Sequence, residues 1–311
     1  MYHKCLYAAA IITLCIAQGC NNGRQQAPAA VQRTFVVPSI PQFYTDPQAR
    51  ADYLATHYWD NFDFADTAFY GSSASVTEQA TVNFLDVLNY AVGREADNGV
   101  KVLMDKALSD TMAYRWFAAT LERYLYDPNS PIRNAEYFIP VVAHRLANEH
   151  LDEGQRLRLQ IMYDNLMKNR PETRAADIHF EMPNGQRKTL SELRSDFVLL
   201  IFHNVGCEAC RTLIARIEQS EAIKAMQARK QLTILAIYPE AKKDEWQSHL
   251  SEIPSSWLCG YDYSGEIDTR ETYALSAIPT IFLLDRDKYV ILRDPSVAMV
   301  EHALTVIAEQ L

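Results

Sequence analysis

The amino-acid sequence predicts an all-α domain followed by an α/β domain, on three observations. Apolar residues recur at four-residue spacing through residues 46–170. From residue 171 onward, short apolar runs alternate with helical stretches, which is the pattern of an α/β layer with a central sheet. The third observation is a Cys-x-x-Cys pair, Cys207 and Cys210, which follows one of these apolar runs.

The composition is that of an ordinary folded protein. The chain has 311 residues, a length that favours two domains, with 48% hydrophobic and 22% charged residues. Its formal charge of −9 argues against a general nucleic-acid binder, because such proteins carry a basic surface. Its 6 cysteines are too few for a disulfide-dense scaffold. We therefore expect a globular protein without a nucleic-acid partner.

The first residues predict a signal peptide that ends before a cysteine. One basic residue precedes an apolar run over residues 6–17, which is too short to span a bilayer but suits the central part of a signal peptide. The run leads into Ala17-Gln18-Gly19-Cys20, and small residues before a cysteine resemble a bacterial lipobox. That resemblance implies a signal peptide of residues 1–19, lipidation of Cys20, and a lipid-anchored place in the cell envelope, facing the periplasm or the cell surface. The alternative is ordinary cleavage near the same point and free secretion.

A tether and a helical domain are predicted between the signal peptide and residue 171. Residues 20–45 are rich in Gln, Ala and Pro, and we expect them to form a flexible tether. Residues 46–170 are expected to form about five or six helices with almost no strand, because apolar residues such as Leu54 and Tyr58 lie one helical turn apart. Ser130-Pro131 is expected to begin one of these helices, since serine is a favoured N-cap and proline a favoured first helical residue.

Residues 171–311 predict a sheet with helices between its strands. A strand of alternating polarity at 178–182, a turn and a short helix after Thr189 come first. Continuous apolar runs then predict strands that are buried on both faces. These runs, with a hairpin partner for the last of them, lie at residues 197–202, 232–238, 280–284 and 289–292. A final helix is predicted from residue 297, because its apolar residues share one stripe.

The Cys-x-x-Cys pair is the strongest chemical signal in the sequence. Cys207 is expected at the start of a helix, where free backbone N–H groups and the positive end of the helix dipole stabilise a thiolate. Cys210 lies one turn further on and begins the buried stripe of that helix. We therefore expect Cys207 to attack a disulfide and Cys210 to resolve the mixed disulfide. Cys259, in a short apolar run, is expected to be a buried core thiol.

A proline motif follows the dithiol further along the chain, where Ile278-Pro279-Thr280 directly precedes an apolar strand. Together, the Cys-x-x-Cys pair and this motif resemble the thioredoxin superfamily, and the strand–turn–strand of residues 178–193 resembles the N-terminal addition of its TlpA/ResA-like branch. The resemblance covers residues 172–311 and implies a thioredoxin-like α/β domain with a central mixed sheet flanked by helices. In that family the proline is cis and packs beside the dithiol. The residue before it, here Ile278, presents its backbone to a bound substrate strand.

The sequence differs from the thioredoxin superfamily at the residues that accept a proton in that family. Apolar Ile201 and Leu213 occupy the two positions where members of the superfamily have acidic residues. Glu208 and His203 are candidates for proton transfer or for tuning of the thiols. The alternative roles are a helix-dipole partner for Glu208 and a structural residue for His203.

The helical region carries a second resemblance. The segment from His57 to Phe64, His-Tyr-Trp-Asp-Asn-Phe-Asp-Phe, looks like the start of a helical domain of unknown function. That domain precedes thioredoxin-like domains in envelope lipoproteins of Gram-negative bacteria. The resemblance favours an envelope location and implies no chemistry.

The sequence as a whole predicts a membrane-tethered thiol–disulfide oxidoreductase whose partners are disulfide- or thiol-bearing exported proteins. Family analogy implies that it acts as a reductant, supplied by an upstream membrane thiol donor. The redox group is expected to be the Cys207–Cys210 disulfide, without a separate cofactor or a metal, because no further ligand motif accompanies the pair. One alternative is a peroxiredoxin-like peroxidase, although Asn204 occupies the position where that family has Thr or Ser. The other is a non-catalytic envelope binding module with a vestigial dithiol.

Overall fold

The structure, a computed structural model, describes residues 33–91 and 94–310. The predicted signal peptide, Cys20 and the first part of the predicted tether, residues 20–32, lie outside the described residues. Within these two ranges, no helix combines the length and the apolar character needed to cross a membrane. From residue 33 the chain forms a helical domain and then an α/β domain, as the sequence predicts.

The helical domain contains six α-helices and a short 3₁₀ helix, Thr67–Tyr70. The α-helices are α1 Pro47–His57, α2 Ala74–Leu88, α3 Arg94–Ala107, α4 Thr111–Leu125, α5 Ala135–Asn148 and α6 Glu153–Leu166. Several begin at an aspartate whose carboxylate accepts hydrogen bonds from the first backbone N–H groups, as Asp110 does for α4. No strand occurs among the described residues before His179, which confirms the all-α prediction.

The start of α5 differs from the prediction at Ser130-Pro131. The helix begins at Ala135, and the side chain of Asn134 accepts hydrogen bonds from the N–H groups of Glu136 and Tyr137. Ser130 instead donates its hydroxyl to the carbonyl of Tyr124 at 2.6 Å. The prediction of a helix start at Ser130 is therefore wrong, because its side chain closes the turn that follows α4.

Aromatic side chains form the core of the helical domain. The Trp59 ring lies 5.1 Å from the Phe117 ring, centroid to centroid, and both side chains are buried. Phe35, which precedes the first helix, stacks on Trp59 at 5.3 Å, and Arg33 forms an ion pair with Asp66. Residues 33–45 were predicted to belong to a flexible tether, yet at these two side chains they lie against the helical domain. The physical reason is that the Phe35 ring is removed from water by the aromatic core.

A seven-stranded mixed sheet forms the second domain, with the strand order β2-β1-β5-β4-β3-β6-β7. Strands β3, β4 and β5 are parallel, whereas the other neighbouring strands pair antiparallel. The strands are β1 His179–Glu181, β2 Arg187–Thr189, β3 Phe197–Phe202, β4 Leu232–Tyr238, β5 Leu258–Tyr261, β6 Thr280–Leu284 and β7 Val290–Arg293. The predicted strands are thus confirmed, with β3, β4 and β6 in the buried centre.

The helices of this domain cover the sheet. They are α7 Glu208–Gln219, α8 Glu221–Ala228, α9 Lys243–Ser248, α10 Glu266–Thr269 and α11 Val297–Gln310. Ile214 of α7, Ile223 of α8 and Val300 of α11 share one apolar core with Leu199 and Ile201 of β3. The next residues of β3, Leu200 and Phe202, belong to a second core on the opposite face. Both faces of β3 are buried, which explains why its sequence is continuously apolar. The buried strand also holds in place the first residue of the loop that follows it.

Hydrogen bonds and ion pairs join the two domains. Arg133, which lies just before α5, forms an ion pair with Asp294 after β7. The guanidinium of Arg293 donates to the carbonyls of Leu166 and Asn165 at the end of α6, where orphan carbonyls and the negative end of the helix dipole attract a cation. The two domains are therefore held together by side chains from both.

The segment that links the domains also pairs with the sheet. The N–H of Glu172 donates to the carbonyl of Val290 at 2.8 Å, and the N–H of Val290 donates to the carbonyl of Thr173 at 2.9 Å. The N–H of Ala175 donates to the carbonyl of Lys288 at 2.8 Å. The linker thus lies along the outer edge of β7.

Candidate functional site

The dithiol lies between the end of β3 and the start of α7. Cys207 is the N-cap residue of α7, and its Sγ accepts a hydrogen bond from the N–H of Cys210 at 3.2 Å. The two cysteines form a disulfide, with 5.2 Å between their Cα atoms. Gly206 has φ +65°, a backbone conformation that glycine adopts easily, and this allows the chain to turn sharply into the helix.

The two sulfur atoms have different surroundings. Cys207 is half-buried, whereas Cys210 is only 2% exposed and belongs to the buried face of α7. A thiolate at Cys207 faces the N–H groups and the positive dipole end of the helix, which lower the pKa of such a thiol. Cys207 is thus placed to meet another molecule, and Cys210 to attack Cys207 from inside.

The predicted cis proline is confirmed. Ile278–Pro279 is a cis peptide bond, and β6 begins at the next residue, Thr280. Thr280 pairs with Phe202, the last residue of β3, in the antiparallel ladder. The loop that carries Cys207 leaves β3 at this same end, so the proline and the dithiol lie at one edge of the sheet.

His203 directly follows β3 and is buried, with 4% of its surface exposed. Its Nε2 atom has no hydrogen-bond partner among the described residues. Burial lowers the pKa of His203 to about 4, and the negative charge of Glu252 opposes this shift only in part. The imidazole is therefore neutral at neutral pH and keeps a ring nitrogen free of partners within the described structure.

Glu252 lies at the dithiol although nothing in the sequence pointed to it. One of its carboxylate oxygens accepts a hydrogen bond from the N–H of Gly206 at 3.3 Å, and the other lies 3.9 Å from a guanidinium nitrogen of Arg211. Glu252 comes from the connection between β4 and β5, which the parallel pairing of these strands brings to the same edge. Its carboxylate bridges the residue before Cys207 and the first turns of α7.

The other predicted residues lie at more distant or more exposed positions. Glu208 occupies the first turn of α7 and is exposed, which suits a helix-dipole partner. Ile201 is buried in the core, and Leu213 is packed against it, so neither position offers a proton acceptor. Cys259 lies in β5, two strands away from β3, and burial raises its thiol pKa to about 11. It is a free, buried thiol, as expected, and does not belong to the dithiol site.

Two protein families match the sequence. A family described as a domain of unknown function, DUF5106, matches residues 15–169. A family described as thioredoxin-like matches residues 195–290. The two matches fall on the helical domain and on the domain that contains the dithiol. No curated protein matches the chain.

Several solved structures are similar. A thioredoxin-like protein from Bacteroides caccae is 36% identical over 88% of this chain and 99% of its own, with a TM-score of 0.81. The C-terminal domain of an uncharacterized protein from Bacteroides fragilis is 36% identical over 44% of this chain and 98% of its own, with a TM-score of 0.43. The thioredoxin domain of a thiol-disulfide oxidoreductase from Bacteroides vulgatus is 19% identical over 44% of this chain and 97% of its own, with a TM-score of 0.40. The Bacteroides caccae structure matches both domains in their order along the chain.

Proposed function

This chain belongs to the thioredoxin-like family, and we propose from that premise that it is a membrane-tethered thiol–disulfide oxidoreductase that reduces disulfides in exported proteins. The observation that carries the proposal is the asymmetry of the dithiol. Cys207 is half-buried at a helix N-terminus, Cys210 is buried one turn later, and the Ile278–Pro279 bond lies at the same sheet edge.

Reduction of a substrate takes two exchange steps. In the reduced protein, the Cys207 thiolate attacks one sulfur of the substrate disulfide, which forms a mixed disulfide and releases a substrate thiolate. Cys210 then loses its proton and attacks the Sγ of Cys207, which frees the second substrate thiolate and closes the Cys207–Cys210 disulfide. Two electrons pass to the substrate, and its two thiolates take up two protons. The disulfide in the structure corresponds to the end of this cycle.

The resolving step requires a proton acceptor for Cys210. The usual acidic positions are occupied by Ile201 and Leu213. His203 is a weak base for this proton of Cys210, because burial lowers its pKa to about 4, and we propose that the proton passes to the departing substrate thiolate, which is the stronger base. Glu252 acts on the other thiol, since a carboxylate next to the Cys207 loop disfavours a thiolate there. A disfavoured thiolate stabilises the disulfide relative to the dithiol, which favours a reductant.

The proposed location rests on the N-terminal sequence. A signal peptide that ends at Cys20 would place the lipid anchor ahead of the helical domain, with the dithiol in an oxidising compartment. An upstream membrane thiol donor is then needed to return the disulfide to the dithiol. Substitution Cys20→Ala should convert a membrane-associated protein into a soluble or unprocessed one. Unchanged membrane fractionation would rule out this anchor.

The decisive test is reduction of insulin disulfides by the protein with dithiothreitol as the electron source. We expect catalysed precipitation of the insulin B chain, and a Cys207–Cys210 potential below that of the glutathione pool. A potential above it would make the protein an oxidant. Peroxide turnover in place of insulin reduction would favour a peroxidase, and activity with neither substrate would favour a binding module.

A further inference from the structure

The end of the helical domain holds the loop that leads to the cis proline. This loop, residues 271–278, follows α10 and is called the proline loop below. The side-chain amide of Asn169 donates to the carbonyl of Thr272 at 2.9 Å, and the Nζ atom of Lys168 donates to the carbonyl of Glu271 at 3.0 Å. Both donors lie just after α6, so two side chains at the end of one domain bind backbone carbonyls of the other.

The side chain of Asn169 is fixed by a second hydrogen bond. The residue is buried and has φ +48°, a left-handed conformation that asparagine adopts more readily than most residues. Its Oδ1 atom accepts a hydrogen bond from the N–H of Ala176, in the segment between the domains, at 2.8 Å. The amide therefore joins that segment to the proline loop, and it cannot rotate away from Thr272 without losing its bond to Ala176.

Tyr273, the next residue of the proline loop, connects this attachment to the dithiol edge. The side chain is 1% exposed, and its hydroxyl donates to the carbonyl of Ala176. Its ring lies 4.8 Å from the ring of Phe202 and 5.3 Å from that of Phe282, centroid to centroid. Phe202 is the last residue of β3, after which the chain continues to Cys207. The start of the proline loop is thus fixed between the helical domain and the strand that precedes the dithiol.

The rest of the proline loop, residues 274–278, has few hydrogen bonds. Leu275 packs against the core of the sheet, and the hydroxyl of Thr280 donates to the carbonyl of Ala277. The N–H and the carbonyl of Ile278 pair with no other backbone group of the described residues. The position of these two groups therefore depends on the attachments at the start of the loop and on the strand that follows it.

We propose that Asn169 and Lys168 are positioning residues, which hold the proline loop so that the backbone of Ile278 meets a protein substrate while Cys207 attacks its disulfide. This inference rests on the proposed function. An extended segment that pairs as an added strand needs backbone groups at a fixed position, whereas a small disulfide has no backbone to pair. The helical domain therefore acts on the reaction with protein disulfides through the loop, without contributing a reacting atom.

The first test variant, Asn169→Asp, removes the donor of this residue and keeps its acceptor. A carboxylate still accepts from the N–H of Ala176 but cannot donate to the carbonyl of Thr272, and aspartate also tolerates the left-handed conformation. The matched control is Asn184→Asp, in the exposed turn between β1 and β2. There the side-chain oxygen also accepts from a backbone N–H, that of Gln186.

The second variant, Lys168→Met, removes the donor to Glu271 and leaves Asn169 unchanged. It is an independent test at a partly exposed position, so the proposal stays testable if Asn169→Asp does not fold. Its matched control is Lys224→Met on α8, where the lysine is exposed and pairs with Glu221 of the same helix. Circular dichroism checks the folding of all four variants.

Three measurements on the chain from residue 20 onward distinguish positioning from a purely structural role. The first is the KM and the kcat for insulin, with dithiothreitol as the electron source. The second is the rate at which the pre-reduced protein reduces 5,5′-dithiobis(2-nitrobenzoate), a small disulfide. The third is the hydrogen exchange of the backbone amides of residues 274–278, followed by mass spectrometry.

We expect each test variant to raise the KM for insulin about fivefold, because it loses one hydrogen bond that holds the loop, and to change kcat by less than about twofold. The rate with the small disulfide should stay within about twofold of that of the unsubstituted protein. Hydrogen exchange in residues 274–278 should become faster by about the same factor as the KM rises. Both controls should match the unsubstituted protein in all three measurements.

An unchanged KM for insulin in the test variants would overturn the proposal. An equal loss of rate with insulin and with the small disulfide would also overturn it, because the contacts would then be purely structural. Unchanged hydrogen exchange in the loop would do the same, even in an active protein. Faster exchange in the variants of a protein that reduces neither disulfide would support the positioning of the loop while the proposed function fails.

Discussion

Each of the two domains buries a histidine, and the two imidazole rings differ in their hydrogen bonding. In the helical domain, both ring nitrogens of His144 have partners: the Tyr114 hydroxyl at 2.9 Å and the Asp105 carboxylate at 3.0 Å. At the dithiol, His203 is equally buried, but its Nε2 atom has no partner within the described residues. The buried imidazole of the helical domain is therefore paired at both nitrogens, whereas the one that ends β3 leaves Nε2 unpaired within the described residues.

This difference extends to the acidic groups. Asp105 pairs with the histidine that it faces, which satisfies both groups. Glu252 instead bridges Gly206, the residue before the redox cysteine Cys207, and Arg211 of α7. The comparison teaches that two buried histidines of similar exposure can differ in pairing, because only His144 has an acidic side chain and a hydroxyl within hydrogen-bond distance of its ring.

The largest expected effect is on the dithiol. Cys207→Ser should lower the insulin reduction rate about a thousandfold or more, because it removes the attacking sulfur. Cys210→Ser should instead accumulate mixed disulfides with substrate proteins, visible on non-reducing gels. Cys259→Ser is the control, since this thiol is buried two strands away, and its activity should be nearly unchanged. Trapping by Cys207→Ser in place of Cys210→Ser would reverse the assignment of the two sulfurs.

The second effect concerns the stability of the helical domain. Phe117→Ala should lower its free energy of unfolding by about 3–5 kcal/mol, because it leaves a cavity in the aromatic core. Met112→Ala on the same helix, where the side chain is 51% exposed, should change it by less than about 0.5 kcal/mol. Urea denaturation followed by circular dichroism measures both variants. Equal losses would mean that the core is not centred on Phe117.

The third effect separates the two histidines by their pH dependence. The pKa of His203 is about 4 in the folded protein against an ordinary value of 6.5, so the unfolded chain binds the extra proton between these values. The contribution of the neutral His203 to the free energy of unfolding is fully present above pH 6.5. This contribution is lost as the pH falls towards 4, by about 3 kcal/mol in total.

His203→Phe should remove that share of the pH dependence. His144→Phe should instead lower the stability by about 1–3 kcal/mol at neutral pH, because it leaves Tyr114 and Asp105 without their partner. Urea denaturation at a series of pH values checks both. An unchanged slope between pH 4 and 6.5 in His203→Phe would contradict the assignment.

The smallest effect tests the charge at the dithiol. Glu252→Gln should lower the thiol pKa of Cys207 slightly, because it removes a carboxylate that is partly exposed to solvent. The ultraviolet absorbance of the thiolate measures this pKa, and the potential should rise with the same change. Glu218→Gln, near the other end of α7, is the control. A raised pKa in Glu252→Gln would mean that the carboxylate acts mainly by positioning the loop.

Much of the fold and the core of the site could be predicted from the sequence. Helices follow from the spacing of apolar residues, and β3 follows from a run that is apolar because both its faces are buried. The placement of Cys207 and Cys210 at the start of a helix follows from the apolar run before them and the apolar stripe that begins at Cys210. The cis state of Ile278–Pro279 came from family resemblance, since no local pattern distinguishes the two isomers.

The remainder depends on contacts between distant residues. Glu252 reaches Gly206 only because two strands pair in parallel, and Arg133 meets Asp294 only because the two domains dock. The start of α5 was missed for a local reason, because Ser130 and Asn134 are both good N-cap residues and only Asn134 accepts hydrogen bonds from the first N–H groups of the helix.

The linker that pairs with β7 also determines where the chain can be cut. Glu172 and Thr173 bond the backbone of Val290, the first residue of that strand, and Ala175 bonds Lys288 just before it. The strand at the opposite edge of the sheet, β2, is short and contains Arg187 and Lys188. Short, charged edges resist association with a second sheet, and an uncovered edge invites it. A chain that begins at residue 177 would keep the dithiol but expose the edge of β7, and should aggregate at high concentration. One that begins at residue 171 should stay monomeric.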